Sequence, residues 1–132
     1  MKGKYTKTRT CIYNINYHIV WCVKYRKGIL TDDIAKELKN ILQQTAQDKG
    51  FIIHECAVGD RNHVHLFVSA PPKLAPSYIV KMLKGISGRK LFMNHPDIAT
   101  KLYNGTIWNH SFYIETIGST SEENIRKYIN NQ

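Results

Sequence analysis

The chain has 132 residues, 42% of them apolar and 22% charged, enough to bury one core and too few for two, so a single domain over residues 1–132 is expected. This composition excludes extended disorder, no apolar run approaches the ~20 residues that cross a bilayer, and the polar opening Met1–Arg9 is unlike a secretory leader, which points to the cytoplasm. Nineteen Lys and Arg against ten Asp and Glu leave a net charge of +9, which favours an anionic partner such as nucleic acid or a membrane surface.

Cys11 to Tyr25 is dense in Ile, Val, Tyr and Trp and predicts a long strand ending near Lys27-Gly28. Thr31 can cap a helix in which Ile34, Leu38, Ile41, Leu42 and Thr45 recur at helical spacing. Asp32 and Asp33 suit its positive first turn, and Gly50 suits its end. Phe51–Val58 and His63–Ala70 read as strands joined by the turn-rich Gly59-Asp60-Arg61-Asn62, an antiparallel hairpin that Pro71-Pro72 then stops. Ser77–Phe92 predicts a second helix with Ile79, Met82, Leu83 and Ile86 facing the core, weakened toward its end by Gly85 and Gly88.

A loop containing His95-Pro96 and Asn104-Gly105 leads to a strand over Phe112–Ile117, ended by Gly118. Thr120-Ser121-Glu122-Glu123 matches a capping box and opens a last helix that runs to the C-terminus. The order strand, helix, strand, strand, helix, strand, helix predicts an α+β fold: a ferredoxin-like (RRM-like) antiparallel sheet with helices on one face and a C-terminal helix carrying Tyr128. Cys11, Cys22 and Cys56 form no Cys-x-x-Cys pair and read as buried free thiols.

His63-Val64-His65 lies within a predicted strand, where alternation aims both imidazoles to one side and Val64, Leu66 and Val68 to the other. Two imidazoles on one rigid strand are a partly preorganised grip for a divalent metal, which needs at least one more ligand. On the last helix Tyr128 and Gln132 are four residues apart and share a face, with Asn124 one turn earlier. A phenol with a pKa near ~10 needs a nearby cation or base to attack phosphorus at neutral pH. Metal and tyrosine therefore make chemical sense together. His18, His54, His95 and His110 are expected to be ordinary structural or surface histidines.

Four pieces follow each other as in the single-tyrosine HUH transposases of the TnpA type, the IS200-like enzymes of minimal bacterial insertion sequences: His63-Val64-His65, the stretch Ile79–Ser87, Trp108 with the strand Phe112–Gly118, and Tyr128 to Gln132. The opening Tyr17-His18-Ile19-Val20-Trp21 with Lys24-Tyr25-Arg26 also resembles that family's first strand, so the likeness covers nearly the whole chain. It implies a metal ion, Mg2+ or Mn2+, bound by His63, His65 and the amide of Gln132. It further implies attack by Tyr128 on single-stranded DNA carrying a subterminal hairpin, and a homodimer whose active sites can be shared between subunits, in a bacterial or archaeal cytoplasm. Asn62 stands where many members have Asp; it can orient an imidazole but adds no negative charge near the metal.

Lys24, Arg26 and Lys27, and on the second helix Lys81, Lys84, Arg89 and Lys90, are candidates for DNA phosphate contacts. Two other readings share these features. A replication-initiation or relaxase-type nuclease uses the same His pair, metal and tyrosine at an origin. A domesticated, non-cutting nucleic-acid-binding protein would need neither metal nor Tyr128.

Overall fold

The structure, a computed structural model, describes residues 5–102, 105–118 and 129–130. A two-residue hairpin, β1 (Thr6–Lys7) with β2 (Ile12–Tyr13), precedes the first long strand, β3 (Asn16–Cys22). The single strand expected over Cys11–Tyr25 is thus broken twice. Between β2 and β3 the Asn16 amide bonds to the Asn14 side chain at 2.8 Å, a local alternative to ladder pairing of the kind short polar side chains offer. Beyond Cys22 the chain enters a 3-10 turn, Lys24–Arg26, in which Tyr25 and Arg26 take left-handed backbone (φ 59° and 52°) that no strand tolerates.

Helix α1 (Asp32–Lys49) starts after Thr31, whose backbone is extended as a cap requires but whose side chain makes no capping bond. Asp32 and Asp33 remain in the first turn, and Gly50 at φ +86° ends the helix, a conformation in which glycine avoids the usual Cβ clash. Strands β4 (Ile52–Gly59) and β5 (His63–Ser69) form the expected hairpin. Asp60 and Arg61 both have positive φ, and Asn62 N–H donates to the Gly59 carbonyl at 3.0 Å, which makes a type I′ turn matched to strand twist.

Helix α2 (Pro76–Asn94) begins with Pro in its first turn, where the missing N–H costs nothing. A further short helix, α3 (Pro96–Leu102), occupies what the sequence predicts as loop. Its Ile98 and Leu102, four residues apart, are both buried, so a seven-residue element is held by packing where local pattern is too short to reveal it. Strand β6 (Tyr113–Thr116) is shorter than expected by a residue at each end.

The long strands lie in the order β4-β5-β3-β6, every neighbouring pair antiparallel. With α1 and α2 as crossovers this is the ferredoxin-like arrangement. Alternation then separates two faces. Tyr17, Ile19 and Trp21 of β3 with Val64, Leu66 and Val68 of β5 join Leu38, Leu42, Ile79 and Leu83 of the helices in the main core. Full burial of one such aliphatic side chain contributes about 1.5–3 kcal/mol. The opposite face carries a smaller cluster of Ala57, Phe67, Ile117 and Ile129. Ile129 and Asn130 are helical; the capping box at Thr120–Glu123, Tyr128 and Gln132 lie outside the described residues.

Candidate active site

His63 and His65 stand on the second face, on a strand paired on both sides, to β4 and to β3. Their ring centroids are 4.9 Å apart, with Val64 between them pointing into the core. The strand is rigid because both its edges are hydrogen-bonded, so the imidazoles are held before any ligand arrives. His63 Nδ1 lies 2.7 Å from Asn62 Oδ1. The Asn62 amide is oriented by its own donor, which points to the Arg26 carbonyl at 3.5 Å. His63 Nδ1–H therefore donates, and the ring lone pair resides on Nε2, the tautomer a metal ligand needs. Asn62 performs the orienting half of what an Asp would do there and leaves out the charge.

His65 is 5% exposed. Burial, followed by the fields of His63 and His18, lowers its pKa from 6.5 to about 4, so the ring is neutral and able to coordinate at neutral pH. Against it lies a residue that sequence reasoning assigned no role. His18 of β3 meets His65 edge to edge, with centroids 5.6 Å apart and planes 16° apart, its Nε2 3.3 Å from His65 Nδ1. On its other side, His18 Nδ1 lies 3.3 Å from Glu115 Oε1 of β6. Tyr113 donates its hydroxyl to Glu115 Oε2 at 3.0 Å, and that bond pushes the phenol's pKa up. Alternation along β3 sets His18 opposite to the Ile19 and Trp21 side; which strand it meets is a property of register alone, so no local signal marks it.

Among the described residues no cluster of three His, Cys, Asp or Glu side chains is arranged to hold a metal ion. The described donor set is two imidazoles, which suits a divalent cation once an oxygen donor completes it. Gln132, an amide, is a donor of that kind and lies outside the described residues, as does Tyr128. Ile129, the sequence neighbour of Tyr128, is fully buried beside Phe67, two residues along β5 from His65.

The basic candidates separate into two groups. Lys24, Arg26 and Lys27 follow β3 at its Cys22 end, where Cys22 pairs with His63. Here Val23 N–H donates to the Asn62 carbonyl at 2.8 Å and Leu30 N–H to the Arg61 carbonyl at 2.9 Å. Among the described residues, the four non-glycine ones with positive φ, Tyr25, Arg26, Asp60 and Arg61, all belong to these two joined loops. Such backbone costs on the order of 1 kcal/mol or more per residue, and it is concentrated beside His63. Lys81, Arg89 and Lys90 are exposed on α2, across the sheet from the imidazoles. Lys84 is tied to the fold: its ammonium donates to the carbonyls of Asn109, His110 and Ser111 at 2.6, 3.3 and 3.2 Å, and burial lowers its pKa.

The remaining histidines fit the structural or surface role expected of them. His54 bonds to Ser69 at 2.6 Å, His95 ties the end of α2 to Glu37 of α1 at 2.7 Å, and His110 is exposed. Cys11, Cys22 and Cys56 are free thiols, as expected, but each is partly rather than fully buried; burial pushes the Cys56 thiol up to about 12. No described helix is long and apolar enough to cross a membrane. A groove of about 500 Å3 lined by Arg89, Phe92, Trp108 and His110, among others, opens on the helical side, away from the imidazoles.

Known proteins match this chain over nearly its full length. The ISDra2 transposase TnpA of Deinococcus radiodurans is 40% identical over 126 residues, covering 96% of this chain and 89% of the relative. The transposase of insertion sequence element IS200 from Salmonella typhimurium is 30% identical over 123 residues, covering 91% and 78%. Among solved structures, a crystal structure of a Deinococcus radiodurans protein assigned as a transposase superposes with a TM-score of 0.79 at 34% identity, covering 96% of this chain and 97% of that one. A REP-associated tyrosine transposase bound to a REP hairpin shares the fold, with a TM-score of 0.65 at 18% identity, covering 94% and 69%. The model of the family described as transposase IS200 like matches residues 11–132, and with these relatives it establishes that the chain belongs to the IS200-like transposase family.

Proposed function

We propose that this transposase cuts and rejoins single-stranded DNA at the ends of an insertion element, recognising a subterminal hairpin at each end. In this reading Tyr128 is the nucleophile, and His63, His65 and the Gln132 amide hold a divalent cation, Mg2+ or Mn2+. The observation that carries it is the pair of imidazoles fixed side by side on one face of the sheet, with Ile129 buried on that same face. When bound, the cation polarises the scissile phosphate and stabilises the charge that develops on it.

Each residue then has a defined task. His63 presents its Nε2 lone pair because its Nδ1 donates to Asn62, and His65 stands beside it with Nδ1 toward His18. The Tyr128 phenol loses its proton and its oxygen attacks phosphorus. A new P–O bond forms to tyrosine, the bond to the 3′-oxygen breaks, and that oxygen takes up a proton, which leaves a 5′-phosphotyrosine and a free 3′-OH. A 3′-OH attacking the phosphotyrosine reverses the exchange, joins DNA and returns the phenol. One ester bond is made for each one broken, so no external energy source is required. The working unit in this proposal is a homodimer, in which the His pair of one copy can serve the tyrosine of the other.

The test is incubation with hairpin-bearing single-stranded DNA and Mg2+ or Mn2+, followed by a denaturing gel. A covalent protein–DNA adduct is expected, lost with EDTA, with Tyr128→Phe and with His63→Ala, while hairpin binding by Tyr128→Phe persists. Recovery of the adduct on mixing the two variants indicates a shared site. A fully active Tyr128→Phe protein sinks the mechanism, and tight hairpin binding with no adduct across several hairpins replaces it with a non-cutting binding protein.

A further inference from the structure

Asn62 leaves the imidazole pair without a carboxylate next to His63, yet a carboxylate does reach the pair from the other side of the sheet. Glu115 of β6 faces His18 of β3 directly in the strand register. His18 in turn lies diagonal to His65, since His18 pairs with Phe67 and Val20 with His65. Three side chains from three strands thus form one chain of contacts, Glu115 Oε1 to His18 Nδ1 at 3.3 Å and His18 Nε2 to His65 Nδ1 at 3.3 Å. Long side chains reach diagonal neighbours across a sheet in this way. His18 is 6% exposed and lies edge to edge with His65, the ring planes 16° apart, so its ring has little freedom to turn. Tyr113, bonded to the second Glu115 oxygen and edge-on to His18 at 6.3 Å, holds the outer end.

We propose that His18 and Glu115 are positioning residues that select the tautomer and fix the ring of His65, delivering through two imidazoles the negative charge that Asn62 does not provide. This inference rests on His65 being a metal ligand, as proposed above. The logic is that of hydrogen-bond direction. An ionised carboxylate only accepts, so His18 Nδ1 must be the donor to Glu115. A neutral imidazole that donates from Nδ1 accepts at Nε2, so His65 must donate from its own Nδ1. His65 is then left with its lone pair on Nε2, as His63 is by Asn62. Glu115 sets the direction of the whole chain, and both rings present the same nitrogen. A carboxylate placed behind a ligating imidazole also raises its basicity, and loss of such a partner typically lowers metal affinity about 10- to 100-fold.

Two readouts test the proposal on the full chain without DNA. Long-range proton–nitrogen NMR correlations on the metal-free protein report each histidine's tautomer directly. His65 is expected as the Nδ1–H form in the wild type, and as a mixture or the Nε2–H form in Glu115→Ala and His18→Phe. Mn2+ affinity, measured from the electron paramagnetic resonance signal of the free ion, is expected to fall about 10- to 100-fold in both variants. It should recover partly in His18→Gln, whose amide offers one donor and one acceptor. Glu115 is 43% exposed at its side chain, so its replacement leaves the core intact if His18→Phe fails to fold. A wild-type His65 in the Nε2–H form, or Glu115→Ala with unchanged tautomer and unchanged Mn2+ affinity, overturns the inference. Mn2+ affinity that His65→Ala leaves unchanged overturns the metal reading instead, and the tautomer measurement still decides the role of His18.

Discussion

His65 shows how far a side chain's chemistry departs from its residue type. Its burial, with His63 and His18 close by, holds it at about 4 against an ordinary 6.5. The sign of the consequence follows from proton counting: between those values the unfolded chain binds a proton that the folded chain refuses, so stability falls as pH falls from about 6.5 toward 4 and this contribution is constant outside that window. Urea midpoints of the metal-free protein across this range should drop, and His65→Gln should flatten that part of the curve; equal slopes in the two proteins would contradict the burial argument. At this scale His63 and His65 were legible in the sequence because they share one strand. His18 and Glu115 were not, being 47 and 50 positions from His65 and joined to it only by strand register.

Among the elements, α1 was readable nearly to the residue, because its apolar spacing, acidic first turn and terminal glycine all agree. Helix α2 was readable despite two glycines that local propensity counts against it. The structure distinguishes them. A Cβ at Gly85 meets nothing within 4 Å, whereas at Gly88 it meets Ile107 Cγ2 at 3.2 Å and the Trp108 ring at 3.5 Å. Trp108 cannot easily yield, since its Nε1 donates to Ser87 at 3.0 Å and it bridges to Val23. Gly85→Ala should therefore stabilise by about 1 kcal/mol through helix propensity. Gly88→Ala sets a similar gain against an overpacking cost of about 1–3 kcal/mol and should be neutral to destabilising. Thermal unfolding of the two variants measures the contrast, and equal upward shifts would mean that the Trp108 contact is soft. The break between β2 and β3 and the helix α3 escaped local reading for one reason: both involve segments of a few residues, whose conformation is settled by Asn14–Asn16 bonding and by the burial of Ile98 and Leu102.

For the whole molecule, whose net charge is +9, the sheet separates two groups of basic residues that are candidates to meet DNA. Arg26 and Lys27 flank the imidazole pair, and Lys81, Arg89 and Lys90 lie across the sheet, Arg89 at the edge of the groove beside Trp108. Binding of a hairpin-bearing single strand should weaken linearly with salt on a log–log plot, with each lost phosphate contact reducing the slope by about 0.7–0.9. Arg26→Ala with Lys27→Ala is expected to reduce it, and Lys81→Ala with Lys90→Ala to leave it unchanged; the reverse result would seat the DNA on the helical layer. The sequence by itself determined what is local or periodic: the helices α1 and α2, the antiparallel β4–β5 hairpin, the shared direction of His63 and His65, and through accumulated motifs the family. Only the tertiary structure decided which strands are neighbours, and hence that Glu115 and His18 stand behind His65 and that Ile129 is buried on the imidazole face. The physical reason is that alternation along a strand fixes which side a residue faces, while the identity of its partner depends on strand order and register, which are set by the burial of the whole core.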